Sequence, residues 1–391
     1  MAGTNQSSGI GTEVRTRTRI RGSKLSGFRL FGWIGVLSLV LGSMPWVGCS
    51  PADPGGRSAE AGPRTVAPGP VLHFIHDWVP EPEHGGYYAA HLRGLWREEG
   101  VSVEVHVGGP NSEIEKRVAL DPFGLGIVRG DAVFVAVERG LPVIAVNAYF
   151  QHDPQGIMVR EDSPVRGFAD LENRDIAMQI GASWLLYLQK KYDLKRVRVR
   201  PVTGNVANFV KDPQWITQAY PTSEPYYALK EGVRSRVLQL SESGFDPYRV
   251  IIANRQLVEK HPELVARFSR GAYRGWQEYY RDPQPVHDHL LKISPTMEAA
   301  GMRFSYVAMR RLRLAEGDPA RGESLGAVDP ERWLSLGAIL KDLGVIATVP
   351  PVETVVSTAF TPRALGIDPV LPPPFWTESS DRGVVPAHSP R

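Results

Sequence analysis

Apolar and polar residues fall into alternating strand and helix patterns from residue 71 onward. Residues 71–76 form a short apolar run and residues 101–107 alternate valine with polar side chains, so each stretch predicts a strand. Between them, apolar residues recur at helical spacing before Gly100, which predicts a single helix carrying Tyr88, Leu92, Leu95 and Trp96. The chain therefore opens with a strand, a turn at 77–88, a helix and a second strand.

The same alternation continues to residue 150 and then starts again. The first series adds a helix ending near Leu120, a strand at 125–128, a helix capped by Asp131 and a strand at 143–149. Residues 156–160 and 248–254 have the pattern of crossing segments, with a second series of strands and helices between them. This order predicts an α/β protein of two lobes, each a mainly parallel sheet flanked by helices, which closes around a ligand by hinge motion.

These patterns divide the chain into six predicted segments. They are a signal peptide (1–48), a flexible tether (49–70), the first part of lobe 1 (71–160), lobe 2 (161–248), the return to lobe 1 with C-terminal helices (249–345), and a Pro-rich tail (346–391).

The formal charge of +3 comes from the N-terminal leader. Residues 1–48 contain six basic residues and one acidic residue, so the rest of the chain has 39 basic and 41 acidic residues and a net charge of −2. A nucleic-acid partner is therefore not expected. The Arg-rich start of the leader is followed by an uncharged apolar run at 30–42. This run is shorter than a typical membrane-spanning helix, and the combination is typical of a secretory signal.

Cys49 is the one cysteine of the chain, so no intramolecular disulfide is possible. It follows Gly48 after the apolar run and resembles the lipidation site of a bacterial lipobox, although Trp46 stands where that motif usually has leucine. The resemblance implies an exported protein, on the periplasmic or cell-surface side, anchored to the membrane through a lipid on Cys49. A plain cleaved signal and an uncleaved anchor are the alternatives.

The turn at 77–88 carries the most specific motif. Asp77-Trp78-Val79-Pro80 is followed by His84, Gly86 and Tyr88, and then by Gly94 and Gly100-Val101-Ser102-Val103. Three further stretches fit the same family order, at 140–146, 168–171 and 222–226. Together they resemble the NMT1/THI5-like family, which is related to the sulfonate- and nitrate-type substrate-binding proteins of ABC importers.

The family resemblance implies a type II periplasmic-binding-protein fold that binds a small molecule and delivers it to ABC permease and ATPase subunits. It implies no catalysis and no cofactor, and we expect a monomer. Relatives with this opening motif include binders of thiamine-pyrimidine precursors, and others in the wider group bind alkanesulfonates, taurine or nitrate. A small planar or anionic solute is therefore expected.

Nine residues are candidate ligand contacts: Trp78, His84, Tyr88, Tyr149, Gln151, Ser183, Trp184, Asn205 and Glu224. Trp78 and Tyr88 offer rings that stack on a planar ligand, although Tyr88 also shares the spacing of helix core residues. His84 offers a donor or acceptor, or is an ordinary surface histidine. Metal ligation is not expected, because no second ligand follows at a suitable spacing.

The second lobe supplies Ser183, Trp184, Asn205 and Glu224, and the first lobe also supplies Tyr149 and Gln151. Ser183 and Trp184 open a helix whose free amides suit an anion, although an ordinary N-cap explains Ser183 as well. Glu224 lies in a turn that matches the family's Ser-Glu-Pro and suits an amino group; an acid favoured by the helix dipole is the alternative. Tyr149, Gln151 and Asn205 are chosen only because they stand at strand or loop ends.

An enzymatic function is the main alternative to solute binding, because pyrimidine-precursor synthases of the THI5 type share this fold and opening motif. Those enzymes carry a cysteine-rich iron motif, which a chain with a single cysteine lacks. Sequence patterns typical of hydrolases, NTPases and zinc sites are also missing. A ligand-sensing lipoprotein without a permease is the remaining alternative.

Overall fold

The computed structural model describes residues 69–109, 112–294 and 296–373. The predicted signal peptide, Cys49 and the tether up to residue 68 lie outside the described residues, as does the tail from residue 374. Within the described ranges, no helix combines the length and apolar character needed to cross a membrane.

The first lobe is built on a five-stranded sheet with the order β2-β1-β3-β10-β4. Its strands are β1 (Val71–Ile75), β2 (Ser102–His106), β3 (Gly124–Arg129), β4 (Val143–Phe150) and β10 (Arg249–Asn254). β1 pairs in parallel with β2 and β3, whereas β10 runs antiparallel to β3 and β4. The predicted return crossing is therefore a strand inserted between β3 and β4.

The second lobe repeats this arrangement with the order β7-β6-β8-β5-β9. Its strands are β5 (Gly156–Arg160), β6 (Asp175–Met178), β7 (Arg198–Pro201), β8 (Ile216–Ala219) and β9 (Ser235–Gln239). β6 pairs in parallel with β7 and β8, and the crossing strand β5 is antiparallel to β8 and β9. Each sheet has one strand opposed to the other four, which confirms the predicted two-lobed α/β fold with mainly parallel sheets.

Helices cover the sheets and join their strands. They are α1 (Gly85–Leu92), α2 (Leu95–Glu98), α3 (Ile114–Leu120), α4 (Gly130–Glu138), α5 (Ser183–Lys191), α6 (Ala207–Lys211), α7 (Glu224–Lys230), α8 (Arg255–Lys260), α9 (Pro262–Arg281), α10 (Gln284–Ile293), α11 (Ala299–Arg311) and α12 (Pro330–Asp342). The prediction of a single helix before Gly100 is wrong. The chain breaks between α1 and α2 because Gly94 adopts a left-handed φ of 69°, a conformation that favours glycine.

Helix α9 fixes the position of the turn at 77–88. Trp276 and Tyr279 on its buried face lie directly against Gly85 and Gly86 at the start of α1. A Cβ atom at either glycine would overlap one of these rings, so the two glycines let α1 approach α9 closely. The turn is thus held against a rigid aromatic core.

Part of the Pro-rich tail belongs to the first lobe. The amide of Ala145 in β4 donates to the carbonyl of Val355 at 2.9 Å, and the amide of Ser357 donates back to Ala145 at 2.8 Å. Phe360 is buried, and its carbonyl accepts a 2.8 Å hydrogen bond from the hydroxyl of Tyr273. The tail therefore covers the outer edge of β4, which would otherwise expose unpaired backbone groups.

Candidate functional site

The turn at 77–88 folds around a hydrogen bond between Asp77 and His84. The Nε2 atom of His84 lies 2.9 Å from one carboxylate oxygen of Asp77, and His84 is only 1% exposed. The other oxygen of Asp77 accepts a hydrogen bond from the guanidinium of Arg249. Burial alone would raise the pKa of Asp77, but the Arg249 charge and the His84 hydrogen bond hold it well below its usual value.

A second histidine, His76, lies under this pair. Its ring stacks on that of His84 with centroids 4.4 Å apart, and Tyr88 meets it edge-on at 5.3 Å. His76 is fully buried, and neither of its ring nitrogens has a hydrogen-bond partner among the described residues. Burial and the nearby His84 lower the pKa of His76 well below its ordinary value, so its ring is neutral at neutral pH.

Arg249 joins the two lobes at this point. It begins the crossing strand β10, and its guanidinium carbon lies 5.9 Å from the ring centroid of Tyr220, which follows β8 in the second lobe. Its charge also interacts electrostatically with Tyr149, Asp77 and Asp153. Burial raises the pKa of Asp153 to about 6, although Arg249 and Arg129 oppose that rise.

Three glutamates lie beside this cluster. Glu81 and Glu83 belong to the turn of the first lobe, and Glu224 starts α7 in the second. Glu224 accepts a 2.8 Å hydrogen bond from the amide of Tyr220, and burial raises its pKa to about 7. Burial and repulsion by the neighbouring carboxylates, including Glu224, raise the pKa of Glu81 well above its usual value.

Ser183 makes a further contact between the lobes. Its hydroxyl, at the start of α5, donates to the carboxylate of Asp131 in the first turn of α4. Arg129 holds the same carboxylate through two hydrogen bonds of 3.0 and 2.7 Å. The prediction that Asp131 caps α4 is wrong: Arg129 is the N-cap residue, and the Asp131 carboxylate is used for these contacts. A cavity of about 570 Å³ opens beside them.

The structure brings four of the candidate residues together: His84, Tyr88, Tyr149 and Glu224 lie around Asp77 and Arg249. Trp78 stands next to them on the turn, with 38% of its surface exposed. Ser183 lies at the second contact between the lobes. The other three are placed elsewhere.

Those three residues have structural contacts of their own. Gln151 is fully buried and donates a 3.0 Å hydrogen bond to the carbonyl of Ala327. Trp184 is 1% exposed and packs in a hydrophobic cluster that contains residues of both lobes. Asn205 is exposed and accepts from the amide of Ala207 at 3.0 Å, which shapes the start of α6.

Seven charged residues of the site were not among the sequence candidates: Asp77, Glu81, Glu83, Arg129, Asp131, Asp153 and Arg249. Arg249 had a usable signal, because it is the one charged residue in a crossing segment that is otherwise apolar up to Asn254. Within the described residues, no group of three or more His, Cys, Asp or Glu side chains is arranged to hold a metal ion.

Comparison with known proteins places the chain in a family. The family model described as NMT1/THI5 like matches residues 81–285, more than half of the chain. The riboflavin-binding protein RibY of Chloroflexus aurantiacus is 22% identical over 331 residues, which cover 80% of this chain and 93% of that protein. The 4-amino-5-hydroxymethyl-2-methylpyrimidine phosphate synthase of Aspergillus parasiticus is 21% identical over 295 residues, 66% of this chain and 84% of the synthase.

Solved structures show the same fold. The alkanesulfonate-binding protein SsuA from Xanthomonas axonopodis pv. citri, bound to MOPS, superposes with a TM-score of 0.57 at 15% identity. The match covers 75% of this chain and 100% of that protein. These values establish a shared periplasmic-binding-protein fold.

Proposed function

The chain belongs to the NMT1/THI5-like family, and from the way residues of both lobes meet around Asp77 and Arg249 we propose that it is the extracytoplasmic solute-binding component of an ABC importer. It captures a small planar solute between its lobes and delivers it to permease and ATPase subunits. The observation that carries this proposal is the convergence of three segments on one site. They are the turn at 77–88 from the first lobe, Tyr220–Glu224 from the second, and Arg249 from the crossing strand between them.

A hinged clamp requires this placement, because both lobes must contribute to one site for a ligand to favour the closed state. Aromatic rings from both lobes, including Tyr149 and Tyr220, lie in the site beside donors and acceptors. Flat rings with polar edges suit a planar heterocycle. Riboflavin and the aminopyrimidine named for two relatives are compounds of this kind.

Export and anchoring form a separate part of the proposal. The leader directs secretion, and lipidation of Cys49 holds the domain at the membrane where the importer lies. The segment from residue 50 to 70 then acts as the tether. The support for this part comes from the sequence pattern alone.

A pyrimidine-precursor synthase is the second candidate, since several curated relatives carry that name. Against it stands the single cysteine, Cys49, which directly follows the leader and leaves the domain without a cysteine-rich motif. A binding protein releases its ligand unchanged, whereas a synthase does not. Mass spectrometry of a ligand recovered after binding separates the two functions.

A thermal-shift screen of the full chain in detergent tests the transport proposal. The probes are riboflavin, 4-amino-5-hydroxymethyl-2-methylpyrimidine and an alkanesulfonate. A ligand present at 100 times its Kd stabilises the folded state by about 2.7 kcal/mol, which raises Tm measurably. We expect a rise with at least one planar probe and its loss in Trp78→Ala, whose Tm without ligand should stay unchanged because Trp78 is exposed. If no probe shifts Tm, the proposal is rejected.

A further inference from the structure

The two segments that join the lobes are tied to each other by the carboxylate of Asp246. The first segment, residues 151–155, links β4 to β5, and the second, residues 244–248, leads from the second lobe back to β10. Oδ2 of Asp246, on the second segment, lies 2.7 Å from Nδ1 of His152 on the first. Oδ1 of Asp246 accepts a 3.0 Å hydrogen bond from the amide of Asp153. Rotation of one lobe against the other changes the backbone of both segments, so it acts directly on these contacts.

Two residues of the C-terminal part of the chain hold the same joint. Arg332, in α12, donates through Nη2 to the carbonyls of Gln151 and Asp246 at 2.5 and 2.8 Å, and to the carboxylate of Asp246 at 3.0 Å. Glu323, which precedes α12, contacts His152 from the other side, with Oε2 3.0 Å from Nε2. We call His152, Asp246, Glu323 and Arg332 the hinge cluster.

The position of His152 fits a doubly protonated imidazole. Each of its ring nitrogens lies within 3.0 Å of a carboxylate oxygen, and an ionised carboxylate can only accept hydrogen bonds. A neutral imidazole has a single N–H, so its other nitrogen would turn a lone pair toward the second carboxylate. With both nitrogens protonated, the positive charges of His152 and Arg332 balance the negative charges of Asp246 and Glu323. The hinge cluster is therefore complete only when His152 is charged.

The surroundings of His152 allow its charge to change. The charged groups around the ring come from three parts of the chain: Asp246 from the second segment, Glu323, Arg321 and Arg332 from the C-terminal part, and Asp153 from its own segment. Arg321 is at an exposed position and lies 3.6 Å from Glu323. The side chain of His152 is 17% exposed, and a cavity of about 410 Å³ lined in part by Glu323 and Arg332 opens beside the cluster. The ring can therefore exchange its proton with solvent.

We propose that His152 is a positioning residue of the hinge, whose second proton locks the two joining segments in the arrangement of the lobes described above. The charged ring ties Asp246 to Glu323. As the pH rises and the proton leaves, one of the two contacts is lost and the lobes rotate more freely. The inference rests on the proposed function for the movement of the lobes, but it concerns the ligand-free chain and does not depend on which solute is bound.

The test measures the distance between the lobes in the ligand-free full chain in detergent, by double electron–electron resonance. Spin labels are attached at the exposed positions Leu120→Cys in the first lobe and Lys195→Cys in the second, in a Cys49→Ser background that removes the native thiol. Histidine side chains change charge between about pH 5 and 8, so the chain is measured at about pH 5.5 and about pH 8. We expect one narrow distance at the lower pH and a second distance at the higher pH. The ratio of the two populations should change at least about tenfold, since a hydrogen bond to a charged group is lost.

Three variants separate the proton on His152 from other effects. His152→Gln cannot become charged, so its distances should be the same at both pH values. Glu323→Gln has an amide that donates to a deprotonated ring nitrogen or accepts from a protonated one, so it should keep the narrow distance at both pH values. His261→Gln is the matched control, because His261 is a partly exposed histidine 3.6 Å from Glu263 and outside the hinge. It should keep the full response to pH.

Each contrary outcome overturns the inference in a recognisable way. A response to pH that persists in His152→Gln assigns the effect to other groups, such as Asp153 and Glu224, whose pKa values burial raises to about 6 and about 7. A distance distribution that is identical at the two pH values, or a Glu323→Gln chain that still shows the second distance at about pH 8, shows that the proton on His152 does not hold the hinge. These measurements use no solute, so their failure leaves solute binding to be decided by the thermal-shift screen.

Discussion

Replacing Asp77 with asparagine tests whether the pair between Asp77 and Arg249 holds the turn to the crossing strand. Their side chains are 18% and 9% exposed, and Asp77 also bonds Nε2 of His84 at 2.9 Å. Asparagine keeps the shape and the contact with His84 but leaves the Arg249 charge without its partner. Removing one partner of a buried ion pair costs about 3–5 kcal/mol. Because Asp153 also lies near Arg249, we expect a loss of about 3 kcal/mol in the free energy of unfolding.

The size of this loss should depend on pH. The pKa of Asp77 in the folded protein is lower than that of an unfolded aspartate, for which about 4 is usual. A carboxyl group of this kind stabilises the fold above the unfolded pKa, and the contribution disappears as the pH falls through the folded pKa. The deficit of Asp77→Asn should therefore be complete at neutral pH and shrink below about pH 4.

Urea unfolding of the full chain, followed by tryptophan fluorescence at neutral pH and at about pH 3.5, measures both effects. Asp342→Asn is the control, because Asp342 pairs with Lys190 at 2.5 Å on the surface, where the side chains are 66% and 53% exposed. Its expected cost is about 0–1 kcal/mol. An Asp77→Asn variant that loses no more stability than this control would refute the reasoning, and so would a deficit that does not change with pH.

Three further variants probe other parts of the chain. Gly85→Ala places a methyl group against the ring of Tyr279 and should lower the free energy of unfolding by about 2–3 kcal/mol in the same urea assay, whereas Gly167→Ala, which has open space, should change it by less than about 0.5 kcal/mol. Ser183→Ala removes a donor to the buried Asp131 and should cost about 1.5–3 kcal/mol, unlike Ser335→Ala at an exposed position; equal effects would show that the Ser183 contact is unimportant. Cys49→Ser should move the protein from the membrane to the soluble fraction of fractionated cells, and unchanged membrane association would reject the lipid anchor.

Local periodicity was sufficient to predict the order of strands and helices and the division into two lobes. The apolar run at 71–76 and the alternation at 101–107 correspond to β1 and β2, and the two proposed crossings correspond to β5 and β10. Periodicity could not show that each crossing is inserted antiparallel between two strands of its sheet. The pattern of apolar and polar side chains is the same whether the neighbouring strand runs parallel or antiparallel. The break at Gly94 was missed because apolar spacing continues on both sides of it.

The site was less predictable, because its strongest interactions join residues far apart in the chain. Asp77 and Arg249 are separated by 172 positions, and Ser183 and Asp131 by 52. Asp131 illustrates the difficulty: an acid at a helix start is normally explained by the helix dipole or a cap, and nothing local reveals a partner in the other lobe. The family motif pointed to His84 and Glu224; the structure places His84 against Asp77 and Glu224 within the electrostatic influence of Glu81 and Glu83 on the same turn.

The lobes meet at two places that differ in how well their polar groups are paired. Where Arg129, Asp131 and Ser183 meet, donors and acceptors are matched within the chain, so closure there needs no added molecule. Around Glu81, Glu83 and Glu224 the carboxylates repel one another, and several buried polar atoms nearby lack a partner among the described residues, which disfavours closure there. A ligand can shift the lobes toward the closed state only through contacts it makes better there than in the open state. A ligand that supplies partners to these groups would therefore couple its binding to closure of the lobes.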